Sequence, residues 1–276
     1  MIGQRLAIIG AGNMGASLVA GILNKGLLPA SHIILTNRSR GKMEPLQEKW
    51  GVGFTYDNAQ AVRFASTVVL AVKPQDVPEA IRQIRGALGR RHLIISVVAG
   101  VNIAAIKSWL GHPAQPVVRV MPNTPAQVGE AMSGWTASPE VSPGQKRMVR
   151  RILGALGKEI SFNDEGLLDL VTAVSGSGPA YVFYLAEQLI KSAREIGLPE
   201  DHCQELVLQT IWGAAKMLRE NGGSAEKLRA AVTSKGGTTE AALREFAAGD
   251  LPGLIAKGVA AACRRSKELG AQWAPG

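Results

Sequence analysis

The sequence predicts an α/β protein: a doubly wound parallel sheet in its N-terminal part, then an all-helical C-terminal part. Three observations carry this expectation. Over the first 120 or so residues, short β-branched runs alternate with amphipathic stretches, the pattern of strands buried on both faces and joined by helical crossovers. A glycine-rich turn, Gly10-Ala11-Gly12-Asn13-Met14-Gly15, separates the first run from the first amphipathic stretch. From Asp164 onward the apolar residues recur with a period near 3.6, the helical repeat.

Residues 6–9, 33–36, 68–72, 93–98 and 117–121 read as buried strands, with helices at 14–25, 42–50, 75–84 and 103–110 between them. After Met121 the chain is broken by Pro122, Pro125, Gly129, Gly134, Pro139 and Pro143. Strands at 131–136 and 158–162, with a helix at 144–156 between them, extend the sheet. Helices follow at 177–196, 202–220, 225–231, 238–248 and 254–269, with Gly197, Gly222 and Gly270 as stop signals. The predicted division is residues 1–163 for the sheet domain and 164–276 for the helical domain. Ser177, with Gly178-Pro179 behind it, reads as the N-cap of its helix, and Ser175 as part of the same start.

The chain has 276 residues, 46% hydrophobic and 19% charged, enough apolar material for a sizeable core. Its net charge of +9 comes from short clusters such as Arg82, Arg85, Arg90 and Arg91, or Lys146, Arg147, Arg150 and Arg151. They sit on helical patterns without zinc-finger spacing or RNA-binding aromatics, so solvated faces rather than nucleic-acid contacts are expected. Cys203 and Cys263 are the only cysteines and make no disulfide framework, which fits a reducing, cytoplasmic setting. The apolar runs at 68–72 and 93–101 are too short to span a bilayer, the N-terminus enters a strand without a signal-like segment, and neither membrane nor metal is expected. The helix at 177–196 carries Ala180, Val182, Phe183, Leu185, Ala186, Leu189, Ile190 and Ala193 over more than half its circumference. Such a helix must be covered on most sides, and the chain's own helical part is too small to do it, so a homo-oligomer built on dimers is expected.

Gly10, Gly12 and Gly15 have the spacing of a dinucleotide-binding, Rossmann-like turn. The first glycine turns the strand into the helix, the second admits the pyrophosphate, and the third lets helix and strand pack closely. The amides of Asn13, Met14 and Gly15, at a helix N-terminus, face the phosphate charge. The second strand ends in Thr36-Asn37-Arg38-Ser39-Arg40, with no carboxylate to repel a 2′-phosphate. Asn37 and Ser39 offer hydrogen bonds and Arg38 a planar cation, so NADP(H) is expected, with NAD(H) less preferred. The plain alternative is that Arg38 and Arg40 face water.

Further segments stand at sheet edges and helix starts: 70–75, 118–125, 174–181 and 232–240. In the last, Gly236-Gly237-Thr238-Thr239 precede a helix and present amides suited to an anion, although Thr238 and Thr239 read equally well as helix caps. In order and spacing these segments resemble pyrroline-5-carboxylate reductases over roughly residues 5 to 270. The resemblance implies hydride transfer from the reduced nicotinamide to the imine carbon of 1-pyrroline-5-carboxylate, giving L-proline. It implies that Ser234, Gly236, Gly237, Thr238 and Thr239 hold the substrate, with Thr239 the catalytic residue facing the imine nitrogen. It assigns Asn58 to the adenosine end and Ala71, Val72, Lys73 and Pro74 to the ribose–phosphate edge. Ala99 and Gly100, walled by Met121, Pro122 and Asn123, fall to the nicotinamide.

One departure is Ser234-Lys235-Gly236-Gly237, where the family reads Ser-Pro-Gly-Gly. Lysine leaves the loop freer and adds a positive charge. Two enzyme alternatives remain: a reductase of another cyclic imine acid, and a β-hydroxyacid dehydrogenase. The latter needs a lysine early in the long helix, and none follows Gly176 until Lys191. A non-catalytic NADP-binding protein is the third.

Overall fold

The computed structural model describes residues 4–38, 41, 43–220, 222 and 224–273. Residues up to Ser177, together with those from Ala262 on, form one compact unit; Gly178–Ala261 form the other.

The first unit is built on the strands β1 (Leu6–Ile9), β2 (Ile33–Thr36), β3 (Gly53–Thr55), β4 (Thr67–Leu70), β5 (Leu93–Ser96), β6 (Val117–Met121), β7 (Ala131–Ala137) and β8 (Gly157–Ser161). They make one sheet in the order β3-β2-β1-β4-β5-β6-β7-β8. The first six are parallel, β7 is antiparallel to β6, and β8 is parallel to β7. Alternation with both phases apolar explains the two-faced burial. In β1, Leu6 and Ile8 enter one core while Ala7 and Ile9 enter the other, and all four are buried. One core takes Leu18, Val19 and Ile22 from α1 (Asn13–Asn24) and Val149, Ile152 and Leu153 from α6 (Pro143–Gly154), with Leu46 and Trp50 of α2 (Glu44–Trp50) packed against it. The other takes Val62 from α3 (Asn58–Phe64), Ile81 and Ile84 from α4 (Val77–Ile84) and Ile106 from α5 (Ile103–Leu110). Each fully buried isoleucine or leucine contributes about 2 kcal/mol relative to exposure.

Local chemistry sets the helix starts. Asp57 accepts the amides of Ala59 and Gln60 ahead of α3, Asn102 accepts that of Ala105 in α5, and Ser142 with Gln145 forms a reciprocal capping box at α6. β3 and α3 escape the hydrophobic pattern because, at three and seven residues, they are too short to show a period. The short apolar helix α7 (Leu167–Val171) runs into a π-helical turn at Thr172–Gly176 closed by Ser177 N–H on Thr172 O at 2.8 Å. Ser177 has helical angles (φ −84°, ψ −22°), so it is not an N-cap: the extra residue is absorbed as a π turn and the chain continues helically into α8 (Gly178–Glu195).

The packing boundary at 177/178 lies later than the predicted 163/164. A buried arginine explains why. Arg119 on β6 is 7% exposed and needs carboxylates, which α7 and the residues before it supply. Its guanidinium lies 3.1 Å from Glu165 and 3.8 Å from Asp169. Ser266, from the last helix, donates to Asp169 at 2.7 Å. That helix, α12 (Leu251–Ala271), contributes its end to the sheet unit. Gly270 therefore lies inside a helix rather than beyond one.

The second unit holds α8, α9 (Glu200–Glu220), α10 (Ala225–Ala231), α11 (Thr238–Ala248) and the start of α12. Its buried apolar residues are few, chiefly Ala186, Ala193 and Cys203. Phe183, Tyr184, Leu185, Leu206 and Trp212 are all more than half exposed. Among the described residues no single helix is long and apolar enough to cross a membrane, and no group of metal-ligating side chains is found.

Candidate functional site

The sheet order reverses direction at β1, which has β2 on one side and β4 on the other; ligands of open α/β sheets bind at such a point, beyond the carboxyl ends of the strands. Gly10 leaves β1 with φ +107°, and a Cβ there would stand 2.5 Å from Ala71 O, in the turn after β4. A Cβ on Gly15 would stand 2.1 Å from Gly10 O. Only glycine permits this approach of turn, strand and helix. Gly12 differs: an added Cβ would meet nothing within 4 Å. It is the N-cap of α1, offers no side-chain cap, and the first turn carries no acidic residue. Helix amides thus face open, uncompensated space, a donor set that fits a pyrophosphate.

A cleft of about 450 Å³ opens there. Of the predicted cofactor residues, Gly10, Gly12, Asn37, Arg38 and Asn58 line it, with Ala71, Val72 and Lys73. Asn13, Met14 and Gly15 form the first turn of α1, and Pro74 opens the turn before α4. Ser39 lies outside the described residues. Ala99, Gly100, Met121, Pro122 and Asn123 stand after β5 and at the end of β6, and do not line this cleft. Asn123 is occupied structurally: its amide donates to Ser175 O at 3.2 Å and accepts Met132 N–H at 2.9 Å. It ties the end of β6 to the π turn and to β7.

Along the Thr36–Asn58 side of the cleft runs a polar chain that the sequence pattern does not reveal. Thr36 donates to Asn58 Oδ1 at 2.5 Å, Asn58 Nδ2 to Gln83 Oε1 at 2.7 Å, and Gln83 Nε2 to Glu79 Oε1 at 2.7 Å. Arg82 grips Glu79 with two bonds, and those bonds with that of Gln83 hold the Glu79 carboxyl below its ordinary value. Tyr56 also lines the cleft. A carboxylate is present after all, though not from β2. Asp76, in the turn before α4, binds the Arg38 guanidinium at 2.5 Å. Its signal in the sequence was an acidic residue at a helix start, which reads first as a cap.

In the second unit, Gly237 is the N-cap of α11, so Thr238 and Thr239 occupy its first two positions and neither is the cap. Thr239 is half-buried and Thr238 exposed. Gly237 N–H donates to Ser234 O at 3.0 Å, and Gly236, at φ +73°, donates to Glu240 Oε2 at 2.6 Å. A carboxylate of the chain itself therefore satisfies one amide of this loop. Lys235 is exposed.

Comparison with known proteins agrees with both halves. Residues 165–269 match the family described as pyrroline-5-carboxylate reductase dimerisation, and residues 5–100 the family described as NADP oxidoreductase coenzyme F420-dependent. The chain is 40% identical to a pyrroline-5-carboxylate reductase of Pseudomonas aeruginosa over 268 residues, 97% of each chain. It is 36% identical to pyrroline-5-carboxylate reductase 2 of Bacillus subtilis, over 98% of this chain and 97% of that protein. The structure of a pyrroline-5-carboxylate reductase from Coxiella burnetii superposes with a TM-score of 0.90 at 39% identity, covering 96% of this chain and 98% of that one. The NADP-bound pyrroline carboxylate reductase of Plasmodium falciparum gives 0.88 at 29% identity, covering 98% and 99%. With a glycine turn shaped for a dinucleotide and a match along nearly its whole length, the chain belongs to the pyrroline-5-carboxylate reductase family.

Proposed function

We infer that the chain reduces 1-pyrroline-5-carboxylate to L-proline with NADPH, the carrying observation being the uncapped, open β1–α1 turn with Arg38 on the rim of its cleft in a chain that matches these reductases end to end. When bound, NADPH supplies a hydride to the imine carbon. The rest is the work of the chain. The amides of Asn13, Met14 and Gly15 hold the pyrophosphate. Asn37 and Arg38 face the adenosine ribose and its 2′-phosphate, the sequence offers Ser39 beside them as a further hydrogen-bonding residue, and NAD(H) binds less well. Asn58 shapes the adenosine end through its bonds to Thr36 and Gln83, and Ala71, Val72, Lys73 and Pro74 follow the ribose and phosphates. Ala99, Gly100, Met121 and Pro122 make an apolar wall that excludes water from the nicotinamide, and Asn123 positions that wall through Ser175.

The loop of Ser234, Gly236, Gly237, Thr238 and Thr239 receives the substrate carboxylate, and the Thr239 hydroxyl orients the imine nitrogen. A threonine hydroxyl is a poor acid, so solvent delivers the proton through it. The N-terminal half, 1–163, is on this reading the NADP-binding part, and 164–276 the substrate-binding and dimerisation part, in accord with the family match at 165–269. The exposed apolar residues of α8 and α9 support a homodimer or an oligomer of dimers. Two unpaired thiols fit a cytoplasmic setting.

The test is NADPH oxidation with 1-pyrroline-5-carboxylate, a six-membered cyclic imine acid and a 3-hydroxy acid. Turnover on the five-membered imine above the other two is expected; none on any of them rejects the enzyme. Thr239→Ala should lower kcat about tenfold or more with NADPH affinity kept, and unaltered turnover removes Thr239 from the mechanism.

A further inference from the structure

The Arg38–Asp76 pair is where the cofactor cleft holds more than the glycine turn requires. Asp76 stands at the N-cap position of α4, where an aspartate ordinarily accepts helix amides. Its side chain makes no such bond. It reaches instead for Arg38, which is held at 2.5 Å across the cleft mouth. Asp76 is mostly covered while Arg38 is largely exposed, so the carboxylate is the fixed partner and the guanidinium the movable one. Lys73 and Glu79 also line this cleft, and Glu79 feels the charge of Arg38.

We propose that Asp76 is a specificity-determining residue for the cofactor: it supplies from the β4–α4 turn the carboxylate that β2 lacks, and so limits the preference for a 2′-phosphate. A carboxylate in this region accepts a ribose 2′-hydroxyl and repels a 2′-phosphate. It also engages the one cation of the described β2 end that would neutralise the phosphate. A 2′-phosphorylated nucleotide must therefore draw Arg38 away from Asp76, whereas a 2′-hydroxyl nucleotide need not. The inference rests on the dinucleotide reading of the cleft.

The experiment is calorimetric binding of adenosine 2′,5′-bisphosphate and adenosine 5′-monophosphate to the full chain, wild type against Asp76→Asn and Asp76→Ser, at low and high salt. Loss of the carboxylate should tighten the bisphosphate relative to the monophosphate by about fivefold at low salt, and the gain should shrink as salt rises. Asp76→Glu should keep the wild-type ratio. The kinetic counterpart is a rise in the NADPH-to-NADH ratio of kcat/KM. An unchanged or reversed affinity ratio in both neutral variants overturns the role of Asp76 while leaving the cleft a nucleotide site. If the wild type binds neither nucleotide, the dinucleotide reading falls, and the inference with it.

Discussion

The two compact units spend their apolar residues in opposite ways. In the sheet unit every residue of β1, β4 and β5 is buried, shared alternately between two cores that the unit's own helices cover. In the helical unit α8 leaves Val182, Phe183, Tyr184 and Leu185 exposed. The first unit completes its core with its own chain. The second carries the residue types of a core on its surface, and the family match for that stretch is a dimerisation region. If a second copy covers this face, as proposed, the stability of the helical unit should depend on concentration where that of the sheet unit does not.

The largest expected effect tests that contrast. Phe183 is 65% exposed in the single chain. Phe183→Asp should weaken self-association by about 3 kcal/mol or more, because a charge would have to enter an apolar interface. Sedimentation should then show monomer at concentrations where the wild type is dimeric. An unchanged sedimentation profile would mean that this face of α8 is not covered by another copy.

A smaller effect separates fold from function inside the sheet unit. Gly15→Ala forces a Cβ against Gly10 O, and α1 must shift at a cost of about 2–3 kcal/mol, read by urea unfolding. Gly12→Ala meets no protein atom and should cost about 1 kcal/mol or less in stability, yet lower dinucleotide affinity more than tenfold. Equal losses of stability in the two variants would contradict the distinction between a packing glycine and a ligand-facing one.

The same contrast explains what the sequence could reveal. Both-face burial makes β1 a continuous apolar run and leaves β2 and β6 apolar except for Thr36 and Arg119, and the limits of all three agree with the predicted ones. The run 68–72 reads two residues past the end of β4 because Ala71 and Val72, outside the ladder, still pack against the two cores while lining the cleft. The glycine turn is legible because its chemistry is local. Asp76 is not, because its partner Arg38 is far away in sequence and a local rule assigns it to capping instead. The hydrogen bonds of Asn123 to the π turn are not legible in the sequence, because no periodicity announces that turn. The exposed face of α8 was legible from composition alone, since no arrangement of so few helical residues could bury it.

The smallest expected effect is a pH dependence confined to the sheet unit. Lys107 on α5 donates to Glu140 at 2.6 Å, and this bond, with one from Ser138, lowers the Glu140 carboxyl from 4.5 to about 2. A depressed folded-state value contributes stability that is fully present above pH 4.5 and is lost as pH falls toward 2. Glu140 is about one-third exposed, so solvent screening limits the pair to about 1 kcal/mol or less. Lys107→Met should therefore be destabilised at pH 7 by about 0.5–1 kcal/mol, and the gap from wild type should close through the acid window in urea unfolding. A gap that stays constant from pH 7 to pH 3 would assign the loss to packing of the lysine stem. Because both residues belong to the self-sufficient unit, the gap should also be the same at every protein concentration, unlike the loss caused by Phe183→Asp.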